Sequence, residues 1–314
     1  MWVETLRLST ETGTKADVKV MGNLAHIFLY DATPQLVSVA YVGGTYQLWS
    51  LRSASSPITL PNSEIATIDI DSTGRMWLAT ESGTNLVVYH SDSPYSTWNR
   101  PLNLATGIND DDISVITALP NNTIGVLWSN QNTRRFGFCA HIDGTAPDVW
   151  SADEVPASTS SQNIGLGMAD DHLNVAVGGD GTLYVAVKTS YDTTGGVKIA
   201  LLVRRPNRTW DSLYEVDTAG TRATVLLNET EGTLTVIYTS TEGYNPMIYK
   251  RSLLSPIAFG SRTTLRAGSF NNVSATKNNY TGEFVVIYAS STEVHGSRCS
   301  SVVSEHANLA ITKP

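Results

Sequence analysis

The segment Thr233-Leu-Thr-Val-Ile-Tyr238 recurs in altered form along the whole chain. Each copy is a short run of branched and aromatic residues between two polar turns. The other copies are Leu36–Tyr41, Arg75–Thr80, Thr123–Trp128, Thr182–Val187 and Glu283–Tyr288. Their fourth positions follow one another at intervals of 39, 48, 59, 51 and 50 residues. A period of about fifty residues indicates a propeller or a similar array of repeated sheets.

Further strand-like segments keep the same period. One precedes several copies, as at Ile65–Ile70, and another follows, as at Asn85–Tyr89. A fourth strand is expected to begin at an aromatic residue, and these residues are Trp98, Trp150, Trp210 and Phe259, spaced 52, 60 and 49 apart. Two independent positions therefore keep one register. We predict an all-β chain that folds as a six-bladed β-propeller with four-stranded antiparallel blades.

The two ends of the chain suggest how the ring closes. The last repeat, from Asn272 to Val303, shows three strands, while an orphan strand, Val3–Ser9, opens the chain. We expect this N-terminal strand to complete the last blade, because a closed ring removes exposed strand edges. No shift in composition marks a boundary, so residues 1–314 are predicted to form a single propeller domain.

Composition excludes several classes of function. The 314 residues are 41% hydrophobic and 16% charged, and the net charge is -8. Nucleic acid is a poor candidate partner, because phosphate binding needs a concentrated positive field. No segment has the roughly 18 consecutive apolar residues of a membrane-spanning helix. We expect no cofactor, because phosphate-cradling and dinucleotide-binding motifs are absent from the sequence. The oligomeric state and metal binding are left open.

Two turns carry a family resemblance. The segments Ser91-Asp-Ser-Pro-Tyr-Ser-Thr-Trp98 and Arg204-Arg-Pro-Asn-Arg-Thr-Trp210 resemble degenerate Asp-box turns of sialidase-like (BNR-repeat) propellers. The Thr-Trp ending of that motif is kept, whereas its Asp and Gly positions are not. The resemblance implies a secreted or cell-surface protein. It also implies that ligands bind on the face bearing the loops between second and third strands and the links between blades.

The expected loop face is polar and carries aromatic residues. Aromatic rings beside carboxylates and amides suit a sugar, which offers apolar C–H faces and a rim of hydroxyls. An exposed propeller loop that is merely polar is the structural alternative for any single residue. The candidate ligand-binding residues on this face are Arg134, Arg135, Asp170, Asp171, Asp192, Glu242, Tyr244 and His295.

The segment Asp170-Asp171-His172-Leu173-Asn174 suggests possible chemistry. It is similar to an Asp-x-His-Asn segment of some BNR-repeat polysaccharide lyases, in which the histidine helps to abstract a proton beside a uronate carboxylate. On that reading His172 is the base, Tyr191 or Tyr244 is its acid partner, and Arg222 or Arg134 neutralises the carboxylate. An Asp/His cap at the entry of a strand is the structural alternative.

Three functions remain open from the sequence. The first is a lectin-like protein that binds carbohydrate or polysaccharide on its loop face. The second is an enzyme of the same fold, either a polysaccharide lyase or a glycoside hydrolase, that acts on an acidic polysaccharide. The third is a protein-interaction platform, for which we would expect a contiguous apolar patch. The sequence shows no such patch outside the periodic strands.

Overall fold

The computed structural model describes residues 15–30, 32–52, 56–60, 65–158, 167–275, 279–290, 293–300 and 307–312. These residues form six small antiparallel sheets and no helix. The protein is a six-bladed β-propeller, which confirms the predicted fold class. Within this described part, no helix is long and apolar enough to cross a membrane. The chain divides into two compact units.

The first unit spans residues 1–128 and 138–153. Its first sheet has the order β1-β2-β3-β4, with β5 also paired to β3. The second and third sheets have the orders β6-β7-β8-β9 and β10-β11-β12. The strands are β1 Lys15–Met21, β2 Leu24–Tyr30, β3 Gln35–Val42, β4 Thr45–Leu48, β5 Ser56–Pro57, β6 Ala66–Ile70, β7 Met76–Ser82, β8 Asn85–Ser91, β9 Leu102–Thr106, β10 Ser114–Leu119, β11 Thr123–Asn130 and β12 Arg135–Ile142.

The second unit spans residues 129–137, which join β11 to β12, and residues 154–314. It holds three four-stranded sheets in which consecutive strands pair. Their strands are β13 Leu173–Val177, β14 Leu183–Lys188, β15 Ile199–Arg204, β16 Tyr214–Asp217, β17 Thr221–Asn228, β18 Thr233–Thr239, β19 Met247–Leu253, β20 Thr263–Arg266, β21 Asn272–Ala275, β22 Glu283–Ala289, β23 Glu293–Ser300 and β24 Ala307–Thr312.

Strand β7 shows why the repeated segments are almost continuously apolar. Successive side chains of a strand point to opposite faces of the sheet. Met76 and Leu78 pack into the core that the first and second sheets share. Trp77 and Ala79 pack into a different core, between the second and third sheets. Because both faces are buried, alternation between polar and apolar residues disappears from the sequence.

The repeat was assigned to the wrong strand in the first sheet. The predicted copy Leu36–Tyr41 lies in β3, the third strand of that sheet, whereas the other copies lie in second strands. The second strand is β2, where Ile27 stands opposite Val18 as Leu78 stands opposite Ile68. Ile27 precedes Leu78 by 51 residues, which restores the period. Consequently the turn between Val42 and Thr45 joins third and fourth strands and does not belong to the predicted loop face.

Two further expectations about strands need correction or fall outside the described residues. No strand of the described chain begins at any of the four aromatic residues: β9, β16 and β20 begin four residues after Trp98, Trp210 and Phe259, and the third sheet has three strands with none at Trp150. Instead, Ser151 N donates to Ala140 O at 2.8 Å, and Asp153 Oδ1 accepts from Phe138 N at 3.0 Å, at the edge of the third sheet. The fourth strand of the last sheet is Ala307–Thr312, from the C-terminal end. Val3–Ser9, predicted to complete that blade, lies outside the described residues.

Neighbouring inner strands are tied by side chains that accept hydrogen bonds from backbone N–H groups. In the first unit Asp17 Oδ2 accepts from Ile68 N at 2.8 Å, and Asp69 Oδ2 accepts from Ala118 N at 2.8 Å. In the second unit Asn174 Oδ1 accepts from Val225 N at 3.0 Å. These contacts join β1 to β6, β6 to β10 and β13 to β17. They satisfy strand-edge donors that would otherwise be buried without a partner.

We expect Asn174→Ala to lower the free energy of unfolding by about 1–3 kcal/mol, because it leaves a buried backbone donor without its acceptor. Thr224 Oγ1, which also donates to Asn174 Oδ1 at 2.9 Å, loses the same partner. Urea denaturation monitored by tryptophan fluorescence measures the change. Asn174→Asp keeps the acceptor oxygen and serves as the matched control. An equal loss in both variants would contradict this role for the oxygen.

His26 is a buried neutral histidine in the first unit. Its Nδ1 lies 2.6 Å from Ser38 Oγ, and Arg52 donates to the same hydroxyl oxygen. The hydroxyl proton is therefore left to point at His26, which keeps the ring unprotonated at that nitrogen. Burial, and secondly the Arg52 charge, lower the pKa of His26 to about 4. The same burial lowers the pKa of Arg52 to about 10.

The free energy of unfolding should fall as the pH is lowered from about 6.5 to about 4. In this range His26 is protonated in the unfolded protein but stays neutral in the folded protein. The loss reaches about 3 kcal/mol at the acidic end of this window. Above pH 6.5 the contribution is fully present. Denaturation curves at several pH values measure the slope. His26→Gln, which no longer titrates, should flatten it, and an unchanged slope in that variant would refute the assignment.

Candidate functional site

A cluster of charged residues lies where β13 begins and β14 ends. Asp170 Oδ1 is 3.0 Å from His172 Nδ1, and Asp171 contacts the same nitrogen. The other oxygen of Asp170 accepts from Lys188 Nζ at 2.8 Å and from Ser190 Oγ at 2.9 Å. The backbone fixes these neighbours, because Lys188 N donates to His172 O at 2.9 Å. The structure therefore brings three of the predicted residues together.

The electrostatics of this cluster favour the charged forms of both Asp170 and His172. Burial by itself raises the pKa of Asp170, but hydrogen bonds from His172 and Lys188 outweigh it and hold that pKa well below its usual range. Burial likewise opposes the charge of His172, yet the two carboxylates raise its pKa above the usual value. Nε2 of His172 has no hydrogen-bond partner among the described residues, and 19% of the side chain is exposed. This nitrogen is the one available to a ligand.

Asp170, Asp171 and His172 each offer one ligand atom, and these atoms lie within 4.8 Å of one another. That geometry could suit a cation, but the Lys188 ammonium already lies against Asp170. The nitrogen nearest the two carboxylates is also engaged by them. The donors are thus satisfied by one another, and we assign no metal to them.

A second cluster lies between the fourth and fifth sheets of the same unit, around the buried carboxylate of Asp217 at the end of β16. Arg262 donates to it through Nε at 2.7 Å and through Nη2, and Tyr238 donates its hydroxyl proton. Lys250 Nζ lies 3.3 Å away. Although burial opposes ionisation, hydrogen bonds from Arg262 and Tyr238 lower the pKa of Asp217 to about 2. Asp217 is therefore a permanently charged anchor beneath Arg262.

Two predicted ligand-binding residues stand at the exposed end of this second cluster. Glu242 accepts a hydrogen bond from Nη1 of Arg262 and belongs to the loop between β18 and β19. Tyr244, on the same loop, is 87% exposed. An arginine fixed from below, a carboxylate and an open aromatic ring thus occupy one short stretch of surface. Ring stacking and hydrogen bonding to hydroxyls are both available there.

Arg222 lies near the start of β17, where the pairing register with β18 shifts between Thr221 and Thr224. It adopts a φ of 54°, which is unusual for a residue other than glycine. Its Nη1 lies 3.5 Å from Thr221 Oγ1, and no carboxylate pairs with it among the described residues.

The remaining predicted residues differ in exposure. Tyr191 is only 4% exposed, so its ring is packed inside and does not face the loop surface, whereas Asp192 beside it is exposed. Arg134 is exposed and its carbonyl accepts from Met168 N at 3.2 Å, while the buried Nη1 of Arg135 has no hydrogen-bond partner among the described residues. The roles assigned to these residues remain predictions.

His295 is held by packing. Its ring stacks on Tyr288 with centroids 5.6 Å apart, and the edge of Phe270 lies 5.5 Å away. Its Nε2 pairs with Glu293 at 3.1 Å. These three contacts explain its position without a ligand, so the structure gives His295 a packing role and offers no support for the predicted binding role.

Sequence reasoning missed Lys188, Asp217, Lys250 and Arg262. Lys188 directly follows a copy of the repeat. Its charge is the only feature of the sequence there that could have marked it as a site residue. Asp217 and Arg262 stand 45 residues apart in the chain, and neither belongs to a motif. They come into contact only because the fourth and fifth sheets pack against each other.

Comparisons with known proteins support the propeller fold but do not identify a family. No protein-family model and no curated protein sequence matches the chain. Among solved structures, an arginine triple mutant of AofleA from Arthrobotrys oligospora aligns over 95% of this chain and 86% of its own, with a TM-score of 0.61 and 12% identity. A mutant of the Aleuria aurantia lectin AAL in complex with Fucα1-6GlcNAc aligns over 96% and 97%, with a TM-score of 0.56 and 9% identity.

A sialidase is also similar, at a lower level. The NanB sialidase from Streptococcus pneumoniae aligns over 68% of this chain and 34% of its own, with a TM-score of 0.45 and 12% identity. That overlap is too small to support an inference about this chain. At such identities the likeness to AofleA and AAL shows a shared propeller fold alone.

Proposed function

We propose that the protein binds carbohydrate through the loop end of its fourth and fifth sheets. One observation carries the proposal: surface hydrogen-bonding groups are fixed from below by buried carboxylates, His172 by Asp170 and Arg262 by Asp217. Donors held in place lose little conformational entropy when a ligand binds. Sugar hydroxyls need such directed partners, and the exposed ring of Tyr244 offers an apolar face beside them.

The wider context of this proposal comes from resemblance. One of the similar structures is a lectin in complex with a fucosylated sugar, which is consistent with a carbohydrate ligand here. The two degenerate Asp-box turns favour a sialidase-like (BNR-repeat) ancestry, and we propose on that basis a secreted or cell-surface location and a polysaccharide ligand. Competing protein ligands would require an apolar surface, and the two clusters are polar.

Tyr244→Ala should weaken glycan binding about tenfold, because it removes an exposed stacking ring without disturbing the core. A glycan array first identifies a ligand, and isothermal titration then gives the affinity of each variant. Tyr46→Ala is the matched control, since Tyr46 is an exposed tyrosine of β4 in the first unit. Equal losses in both variants, or no ligand on the array, would overturn the proposal.

A second candidate function is a lyase acting on an acidic polysaccharide. It is favoured by one observation: Nδ1 of His172 is held by two carboxylates while Nε2 is left unpartnered, the arrangement of a general base. Arg222, which lacks a carboxylate partner among the described residues, could neutralise a uronate. Tyr244 is the exposed candidate for the acid, since Tyr191 is buried.

If the protein is a lyase, His172→Gln should abolish turnover of polyuronate while leaving its binding nearly unchanged. Ultraviolet absorbance of unsaturated products measures turnover, and co-sedimentation measures binding. Wild-type activity should rise with pH through the raised pKa of His172, because only the neutral ring can accept a proton. Tyr46→Ala again serves as the control. Turnover that survives in His172→Gln would exclude the histidine as base.

A further inference from the structure

The ion pair between Arg262 and Glu242 is fixed by a buried carboxylate on one edge. Asp217, whose side chain is 1% exposed, accepts from Nε and Nη2 of Arg262. Nη1, at the other end of the guanidinium, donates to Oε2 of Glu242. The side chains of Arg262 and Glu242 are 34% and 60% exposed. Since Asp217 covers one edge of the guanidinium, the exposed part of this group is the end that meets Glu242.

Both members of this pair keep unused hydrogen-bonding groups. A guanidinium carries five N–H groups, two of them on Nη1. Glu242 accepts from one N–H of Nη1, and the second has no acceptor among the described residues. Oε1 of Glu242 likewise has no donor in the described part of the chain. A donor and a carboxylate acceptor therefore lie side by side at an exposed position.

The charges within each of the two loop-end clusters cancel. Each cluster holds two carboxylates and two cations, counting His172 in its charged form. These groups are Asp217 and Glu242 with Arg262 and Lys250, and Asp170 and Asp171 with His172 and Lys188. A cluster without net charge does not attract an anionic ligand from a distance. An anion close to Arg262 would also meet the exposed carboxylate of Glu242, and like charges repel.

The loop that carries Glu242 has a fixed shape. Glu242 N donates to Ser240 Oγ at 3.1 Å, and Phe270 N donates to Asn245 O at 3.1 Å. Asn245 adopts a φ of 55°, a left-handed conformation that persists where the surrounding structure enforces it. Tyr244, between these contacts, is 87% exposed. The loop thus offers an open ring close in sequence to the ion pair, and a pyranose could stack on it.

We propose that Glu242 makes this site specific for neutral sugars that carry two adjacent hydroxyls. The inference rests on the proposed carbohydrate-binding function. One hydroxyl accepts the unused N–H of Arg262 Nη1, and its neighbour donates to Glu242 Oε1. A hydroxyl both donates and accepts, so a diol satisfies both protein groups, whereas an ionised carboxylate only accepts. Acidic glycans are disfavoured, because their carboxylates approach that of Glu242.

The experiment compares the full-length protein with its Glu242→Gln variant on an array of neutral and acidic glycans. The neutral members are cello-, manno- and galacto-tetraoses, and the acidic members are the same tetrasaccharides oxidised at C6 to uronates. At about 0.15 M salt, where long-range repulsion is screened, the wild type should bind neutral members in preference to their uronate counterparts. The Glu242→Gln variant should gain uronate binding.

Isothermal titration with the best neutral tetrasaccharide and its uronate counterpart then measures the preference. In Glu242→Gln the Kd of the neutral sugar should rise about fivefold, because an amide oxygen accepts a weaker hydrogen bond than a carboxylate. The ratio of the uronate Kd to the neutral Kd should fall about tenfold or more. Methylation of the 2- and 3-hydroxyls of the neutral tetrasaccharide should weaken its binding to the wild type about tenfold, since the diol loses its donors.

Asp92→Asn is the matched control. Asp92 is an exposed carboxylate paired with Arg75 in the second sheet, and its replacement changes the net charge by the same one unit as Glu242→Gln. It should leave both Kd values unchanged. An equal change of preference in both variants would overturn the role of Glu242 and leave only a net-charge effect.

The other outcomes separate this inference from the function on which it rests. If the wild type prefers uronates, if Glu242→Gln keeps the wild-type preference, or if methylation leaves the affinity unchanged, the inference is wrong. Carbohydrate binding that is lost in Tyr244→Ala would still support the proposed function. If no glycan of either kind binds, both the proposed function and this inference are overturned.

Discussion

The hydrogen bonds between inner strands govern the rest of the structure. A polar side chain on one inner strand accepts from the backbone of the next, as Asp17 does from Ile68 and Asn174 does from Val225. These bonds fix the level of each inner strand against its neighbour. Between β13 and β17 the Thr224 hydroxyl adds a second hydrogen bond to Asn174 Oδ1.

Apolar packing between the sheets adds stability beyond that of these hydrogen bonds. Strands such as β7 bury both faces, with Leu78 in one core and Trp77 in another. Burying large apolar side chains contributes about 1.5–3 kcal/mol each before entropy is counted. A middle sheet such as the second is therefore stabilised by both of its neighbours within its unit. The loops need contribute little to stability, which leaves their side chains free to bind ligands.

Buried or half-buried carboxylates recur as anchors for polar side chains. Asp217 orients Arg262, Asp170 orients His172 and Lys188, and Glu154 holds Arg204 and the indole of Trp210. In each case the charge is compensated by several donors, so its desolvation is tolerable. Trp98 shows what happens where such an anchor is absent. Its buried indole nitrogen has no hydrogen-bond partner among the described residues.

The sequence by itself determined the all-β class, the six repeats and most second and third strands, because burial on both faces leaves short apolar runs at a regular interval. The sequence also singled out Asp170, Asp171 and His172, and in the structure both carboxylates contact the histidine. The prediction from the sequence was wrong where strands are irregular. The first repeat was assigned to β3 because β2 carries His26 in place of an apolar residue, and Trp150 opens no strand.

Only the tertiary structure decided the partners of the candidate site. Asp217 and Arg262 meet across adjacent sheets, and Lys188 reaches Asp170 because β13 and β14 pair. Exposure was likewise invisible in the sequence: Tyr191 is buried whereas Tyr244 is open. The physical reason is that a local pattern records which residues are apolar. Contacts between residues far apart in the chain, and the surface left uncovered, depend on how the sheets pack.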